Sequence, residues 1–522
     1  MIRNLSGSGR HEIETDVLVI GAGTVGLVMA THLSKLGINV VALESGGLQQ
    51  DEEEHPLNEV IHLKEKYAGA AHGRFRCIGG TSTRWGGALI PFLPADLDGR
   101  DWPINHAEIL EFLPEVEKLF HLNQGGYEVS DQASLVGSGL CENHVARIAK
   151  WPSFSNRNVS NLLHSEISDD NAKLTIWYNA TATQFKVGDN LGLNAVLAQS
   201  PDGSKIHVTA KEIVFTAGAI ETTRLLLLMR RQNMSRLSHI KNTLGHYFYD
   251  HLSVKVGSLE VSNKKKLNQI VGFQFEKNGV MRNIRFELAN GSMLRKEIPP
   301  CFAHIAFEES EKGGFDALRE FFRCIQRRKI PTLEILVRLA SSTPWLLQAV
   351  WWRLVNRRLL FPRKAIFQVH MVIEQVPRFE SCITLSETRK DIFGQPLAEI
   401  SWGIDQKDVA NLTRATDEFQ IAWNKSRLSS FANFVRRPTG VAEAELMNGG
   451  GIYHPGGSTR MAKEAASGVV DGDLKLFGLE NVSVVSTSVL PTGGGANPTM
   501  MEMMLALRSV KSISKKFGKA RV

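Results

Sequence analysis

A histidine and an asparagine, each set in its own glycine-rich turn near the end of the chain, have the types and spacing for chemistry. His454 stands in Gly451-Ile452-Tyr453-His454-Pro455-Gly456-Gly457-Ser458-Thr459-Arg460-Met461, and Asn497 in Pro491-Thr492-Gly493-Gly494-Gly495-Ala496-Asn497-Pro498-Thr499. An imidazole with an ordinary pKa of about 6.5 accepts a proton near neutral pH with little tuning. A carboxamide offers one acceptor and two donors, so it can hold an oxygen without competing for the proton. The glycines let both turns approach a flat ring closely, and Pro455 and Pro498 fix the backbone beside each polar residue. The bland alternatives are a core or capping role for His454 and an N-cap role for Asn497, at the head of a helix over 498–508. A glycine-rich loop is an unusual seat for a structural histidine, which favours a general base. Asn497 can cap and orient at once. His246 and His251 read as structural.

Something must hold a reaction partner beside these turns, and the start of the chain supplies a cradle. The run Asp16-Val17-Leu18-Val19-Ile20 predicts a buried parallel strand. It leads into Gly21-Ala22-Gly23-Thr24-Val25-Gly26, then a helix closed at Gly37, then a second strand over 38–43 that ends on Glu44. Gly21, Gly23 and Gly26 allow a pyrophosphate to rest against backbone N–H groups at a helix N-terminus. Glu44 can accept hydrogen bonds from a ribose and would repel a 2′-phosphate. This fingerprint serves NAD and FAD alike. A second loop, Cys77-Ile78-Gly79-Gly80-Thr81-Ser82-Thr83-Arg84-Trp85-Gly86-Gly87, and a small-residue turn at Ala217-Gly218 after a strand over 211–216 favour FAD, which is long enough to touch them all.

Together these segments resemble the glucose–methanol–choline (GMC) oxidoreductases, flavoproteins that oxidise alcohols. The resemblance extends through Gly245-His246-Tyr247-Phe248-Tyr249-Asp250-His251-Leu252, Glu374-Gln375-Val376-Pro377 and the C-terminal block. The HPGGSTRM form with a later Asn is most similar to the sugar- and sterol-oxidising branches, including pyranose oxidases. It implies His454 as base, Asn497 as its partner, and cofactor contacts at Gly79, Gly80, Thr81, Trp85, Gly86, Ser488, Asn497, Pro498 and Thr499. Some relatives link flavin covalently through a His in the second loop; Arg84 stands there, which implies dissociable FAD. The family's usual Asp two residues before Ser488 is replaced by Ser486.

The implied architecture is α/β: a discontinuous Rossmann-like FAD-binding domain over 12–252 and 446–522, and an antiparallel-sheet α+β substrate domain over 253–445. Strands are expected at 370–374, 382–385 and 396–402 of that second part. An insert at about 315–365 mixes Trp with clustered Arg, and Leu347, Val350, Trp351 and Leu354 fall on one helical face. The more ordinary reading is an amphipathic pair lidding the site with its stripe as core. The alternative is a peripheral contact with the headgroup layer of a membrane.

Composition narrows the classes. Hydrophobic residues make up 43% and charged residues 22% of 522, as in soluble globular proteins. A net charge of +7 is too modest at this length to point to nucleic acid. The five cysteines are scattered without metal-type spacing, the first fifteen residues are polar, and no apolar run is long enough to span a bilayer. The expectation is a cytoplasmic enzyme, able to sit at the inner membrane face, that oxidises a secondary hydroxyl of a sugar or polyol. Its rivals are a non-redox lyase on the same scaffold and a membrane-associated dehydrogenase feeding a quinone or a partner subunit.

Overall fold

The computed structural model describes the chain except residues 52, 130, 132–134, 171, 172, 189–191, 235, 236, 241, 310–312, 363, 439, 450, 496 and 520–522. Position 496 of the second glycine turn and position 363 of the insert therefore lie outside the described residues.

The β-branched run at the start forms the long strand Arg10–Ile20, whose last four residues are buried because sheet neighbours and helices cover both faces. It pairs in parallel with Val40–Leu43 on one side and Lys205–Phe215 on the other. The eight-stranded sheet continues outward through Leu174–Tyr178 to Ile2–Asn4 at one edge, and through the antiparallel pair Leu193–Gln199 and Thr181–Val187 at the other. The strand Val482–Val484 joins alongside Ile213–Phe215, so the end of the chain completes a sheet begun by its start. Between the first two central strands runs the helix Thr24–Lys35. Gly37 follows its end with φ at +79°, and the Gly37 and Ile38 N–H groups close the last carbonyls.

The second sheet is antiparallel and seven-stranded. Its path runs Gln274–Phe275, Met281–Leu288, Cys301–Glu309, Ala365–Glu374, His251–Val261 and Ala432–Arg436. Its remaining strand, His144–Trp151, pairs along the whole of Met281–Leu288 and comes from the stretch that the sequence assigns to the nucleotide part. The strands expected at 382–385 and 396–402 do not join this sheet. They form a smaller one, Cys382–Lys390 with Pro396–Ser401, completed by Val60–His62.

The insert departs from its more ordinary reading. It folds as three helices, Gly314–Arg327, Leu333–Ser341 and Thr343–Asn356. Leu347, Val350, Trp351 and Leu354 do share a face, but that face is exposed and not core. The helix Thr343–Asn356 buries none of its residues fully. The sequence shows the stripe and not what covers it, since a helical period reads the same against a core or a solvent face.

Candidate active site

Three glycine-rich turns meet at the carboxyl ends of the central strands. The Gly21 turn sits so close to the next strand's end that a Cβ there would lie 2.8 Å from the Cα of Ala217, and its φ of +105° excludes most side chains. A Cβ on Gly80 would come within 2.7 Å of the Cα of Gly23. The two loops are also tied by hydrogen bonds: Gly79 N–H donates to the Ala22 carbonyl at 2.9 Å, and Ser82 N–H donates to Thr24 Oγ1 at 3.2 Å. Glu44 accepts from Ala22 N–H at 3.0 Å through one oxygen and from Gly46 N–H at 2.9 Å through the other. Burial raises its carboxyl above the usual range against those bonds.

Between the turns lies a cavity of about 580 Å³, within the range of cofactor and small-molecule sites. Its lining includes Gly21, Gly23, Glu44, Gly80, Thr81, Arg84, Trp85, Gly86, Ala217, Gly218, His454, Asn497, Pro498 and Thr499. The structure thus brings together residues from both ends of the chain. Three expected contacts lie behind the wall instead. Gly26 packs against the Gly21 carbonyl and Thr216 Oγ1, and Gly79 backs onto Asn158 and Ser160. Ser488 is fully buried and bonds to Ser486 Oγ at 2.7 Å and Thr459 Oγ1 at 2.6 Å; its neighbour Thr487 reaches the cavity. With no Asp at 486, a hydroxyl cluster fills the space a carboxylate would need.

His454 and Asn497, 43 residues apart, face each other across 3.3 Å between Nε2 and Nδ2. Arg285, from the strand Met281–Leu288, settles how that contact runs. Its Nη1 donates to Asn497 Oδ1 at 2.9 Å. A guanidinium cannot accept, so the Asn497 amide nitrogen turns to His454 and donates to Nε2, which must carry a lone pair. Arg285 is itself held by Glu287 at 3.0 Å, and Glu287 by Arg147 at 2.6 Å. Burial first, then the neighbouring His251 and Arg285, drives the His454 pKa well below its ordinary value. The sequence expectation of a nearly unperturbed imidazole is corrected here: the ring is a neutral acceptor throughout the neutral range. Asn497 as N-cap is likewise corrected. The final helix is Thr499–Lys516, Pro498 occupies its cap position, and no side chain caps it.

Both turns are clamped from outside the cavity. Asp250 receives the N–H groups of His454 at 2.7 Å, His251 at 2.7 Å and Tyr453 at 2.9 Å, together with the Tyr67 hydroxyl at 2.9 Å. Burial lifts its carboxyl to about 6. It holds Tyr453 at a φ of +68°, a costly conformation for a non-glycine residue. The other turn is held by Glu374, which accepts from Gly494 N–H at 2.6 Å and pairs with Arg100. His251 donates through Nε2 to the Gly494 carbonyl at 2.9 Å, and its ring edge faces His454 at 5.3 Å. His251 is structural, as expected, and so is His246, which stacks on Phe379 at 3.9 Å.

Further lining residues carry no motif. Arg74 and Arg76 also line the cavity, and Arg76 is paired there with Glu221 at 2.6 Å. Glu502, one turn into the final helix, has its carboxyl pushed up by burial to about 8, so it is a neutral hydrogen-bond donor at neutral pH. Arg84 lines the cavity with its Nε donating to Gln50 Oε1 at 2.6 Å. All five cysteines are free. No His, Cys, Asp and Glu grouping among the described residues could hold a metal.

These residues fit FAD on grounds internal to the structure. Glycines from three separate turns line the cavity. Gly23 and Gly218 among them stand at the heads of the helices Thr24–Lys35 and Ala219–Gln232, and a built Cβ on Gly218 or Gly86 would meet nothing within 4 Å, leaving room against them.

Comparisons with known proteins agree. The family model described as GMC oxidoreductase matches residues 377–506. The 2-methyl-1,2-propanediol dehydrogenase of Mycolicibacterium austroafricanum is 22% identical, over 97% of this chain and 96% of that protein. Paromamine 6′-oxidase of Streptomyces fradiae is 28% identical over 28% of this chain and 25% of its own length. Among solved structures, pyridoxine 4-oxidase from Mesorbium loti superposes with a TM-score of 0.59 at 14% identity, covering 95% of this chain and 99% of that one. Formate oxidase of Aspergillus oryzae, whose FAD modification was studied by mutation, superposes at 0.58 with 13% identity over 97% and 99% of the two chains. At such identities the structural likeness establishes the fold.

Proposed function

We propose that this chain is a GMC oxidoreductase acting on CH–OH groups, and that it oxidises a secondary hydroxyl of a sugar or polyol-like substrate to a carbonyl. The observation that carries the proposal is the contact between Asn497 and a His454 nitrogen held free of its proton. The substrate hydroxyl approaches this pair and gives its proton to His454 Nε2 while the Asn497 amide steadies the oxygen. Release of that proton makes the carbon a better hydride donor, and bound FAD supplies the two-electron acceptor at flavin N5. Arg285 keeps the carboxamide from flipping, and its charge opposes premature protonation of the base. Gly21, Gly23, Gly80, Ala217 and Gly218 would hold the pyrophosphate and ring. Glu44 would receive the ribose, and Pro498 and Thr499 would abut the flavin at the helix head. With Arg84 occupying the position where some relatives carry a linking histidine, the flavin is held without a covalent bond.

The names of the relatives favour a small hydroxylated molecule as substrate: one is named for 2-methyl-1,2-propanediol and another for the 6′ position of paromamine. The test is anaerobic mixing of the yellow holoenzyme with a panel of sugars, cyclic polyols and short diols. Bleaching by secondary-alcohol substrates is expected. A panel that bleaches only with primary alcohols overturns the choice of hydroxyl, and no bleaching with any alcohol favours a non-redox reaction.

A further inference from the structure

The insert presents an apolar surface that none of the described residues covers. On the helix Leu333–Ser341, Leu333 is 76% exposed, and Leu336 and Val337 follow on the same face. On the next helix, Thr343–Asn356, Leu347, Trp351 and Leu354 are 67%, 60% and 75% exposed at spacings of four and three. The other side of this helix is apolar as well. Trp345 meets Phe315 edge-on at 6.4 Å, and Trp352 is half-buried, so the helix is hydrophobic nearly all round. A helix of that kind belongs in an apolar surrounding, which this fold provides on one side only.

Charge identifies what lies on the other side. Residues 314–364 carry eleven Arg and Lys against three Asp and Glu, whereas the whole chain nets +7, so the remainder is close to neutral. Two of those acids are engaged within the insert, Asp316 with Arg319 and Glu320 with Arg338. Burial first, then the neighbouring Arg319 and Arg327, disfavours the charge on Arg323. Arg328 and Arg357, both exposed, sit at the C-terminal ends of two of the helices. Apolar and Trp side chains rimmed by exposed arginines match an anionic lipid headgroup layer above acyl chains. No helix among the described residues is long and apolar enough to cross a membrane, so the contact is one of lying on the surface.

We propose that the insert docks this enzyme on the surface of an anionic lipid bilayer, with Leu333, Leu347, Trp351 and Leu354 dipping into the leaflet and the arginines meeting the headgroups. The docked element is joined to the cofactor site. Gln326, buried at the end of the first insert helix, donates to the carbonyls of Ser82 at 3.2 Å and Trp85 at 3.1 Å in the second glycine loop. The inference does not depend on which hydroxyl is oxidised.

Flotation of the full-length holoenzyme with phosphatidylcholine vesicles, with and without a quarter of phosphatidylglycerol, tests it. The expected result is partition at least about tenfold stronger onto the anionic vesicles, weakened by salt. Combined Leu347→Glu, Trp351→Glu and Leu354→Glu substitutions, at exposed positions, should abolish flotation while the protein keeps its flavin colour and melting temperature. No flotation of the wild type, or equal flotation with both vesicles, overturns the proposal. So does a doubled mass in sedimentation that the triple variant halves without any vesicle binding, which would give the face to a second copy of the chain.

Discussion

Whether His454 is a base is decided by its neighbours more than by its own type. A histidine whose folded pKa is depressed stays unprotonated at every pH above that lowered value, and a base is active in that form. The acid limb of kcat/KM, which reports the free enzyme, should therefore lie well below pH 6.5, with a level profile from there to neutrality. An acid limb at or above 6.5 would show that the imidazole is not held as described. Arg285→Gln removes the permanent cation beside His454, so the limb should move up in pH, and kcat should fall by roughly ten- to a hundredfold as Asn497 loses its fixed orientation. A purely structural arginine would lower stability without moving the limb. At this scale the sequence shows His454 and Asn497 through their glycine settings. It hides Arg285, 212 residues from Asn497 and embedded in an ordinary alternating strand. It hides the role of Asp250 as well, because a carboxylate that bonds backbone N–H groups needs no particular partner residue type.

The elements do their work through close approach and clamping. A Cβ on Gly26 would strike the Gly21 carbonyl and lie 2.7 Å from Thr216 Oγ1, so Gly26→Ala must push the helix Thr24–Lys35 off the strand end. The expected result is a loss of about 1–3 kcal/mol in stability and weaker flavin retention, read by thermal melts and by flavin-to-protein absorbance ratio. Asp250→Ala strands three N–H groups and a tyrosine hydroxyl in a buried place. It should cost about 2–4 kcal/mol and lower kcat more than it raises KM, since the turn bearing His454 loses its anchor. Unchanged melting would mean that water replaces the carboxylate. The strand–turn–helix–strand unit was legible because its glycines and β-branched run follow from local sterics. The pairing of His144–Trp151 with Met281–Leu288 was not, because an alternating strand carries no mark of which sheet will take it. The insert's stripe was readable, and its exposure was not.

At the scale of the whole molecule, one cavity is walled by the first and the last turns of the chain, so cofactor binding and folding are one equilibrium. FAD that binds only the folded state should raise stability by about 2.7 kcal/mol when free FAD is a hundredfold above its Kd, visible as a melting temperature that climbs with added flavin. Acid precipitation should leave the yellow colour in the supernatant; colour retained in the pellet would contradict a dissociable cofactor. The general architecture followed from sequence because sheet order at a nucleotide fold is set by the fingerprint strand and its crossover. How the antiparallel sheet reaches the cavity required coordinates, since Arg285 comes from a strand with no motif and nothing in the Glu374 segment marks Gly494 as its partner. The claim beneath all of this is that His454 removes the hydroxyl proton. It is met most directly by anaerobic single-turnover reduction of the flavin in the wild type and His454→Ala, both loaded with FAD and mixed with the same substrate. The expected outcome is a variant with unaltered flavin absorbance whose reduction is slower by about 10²–10⁴-fold; reduction at the wild-type rate would contradict the assignment of His454 as the base.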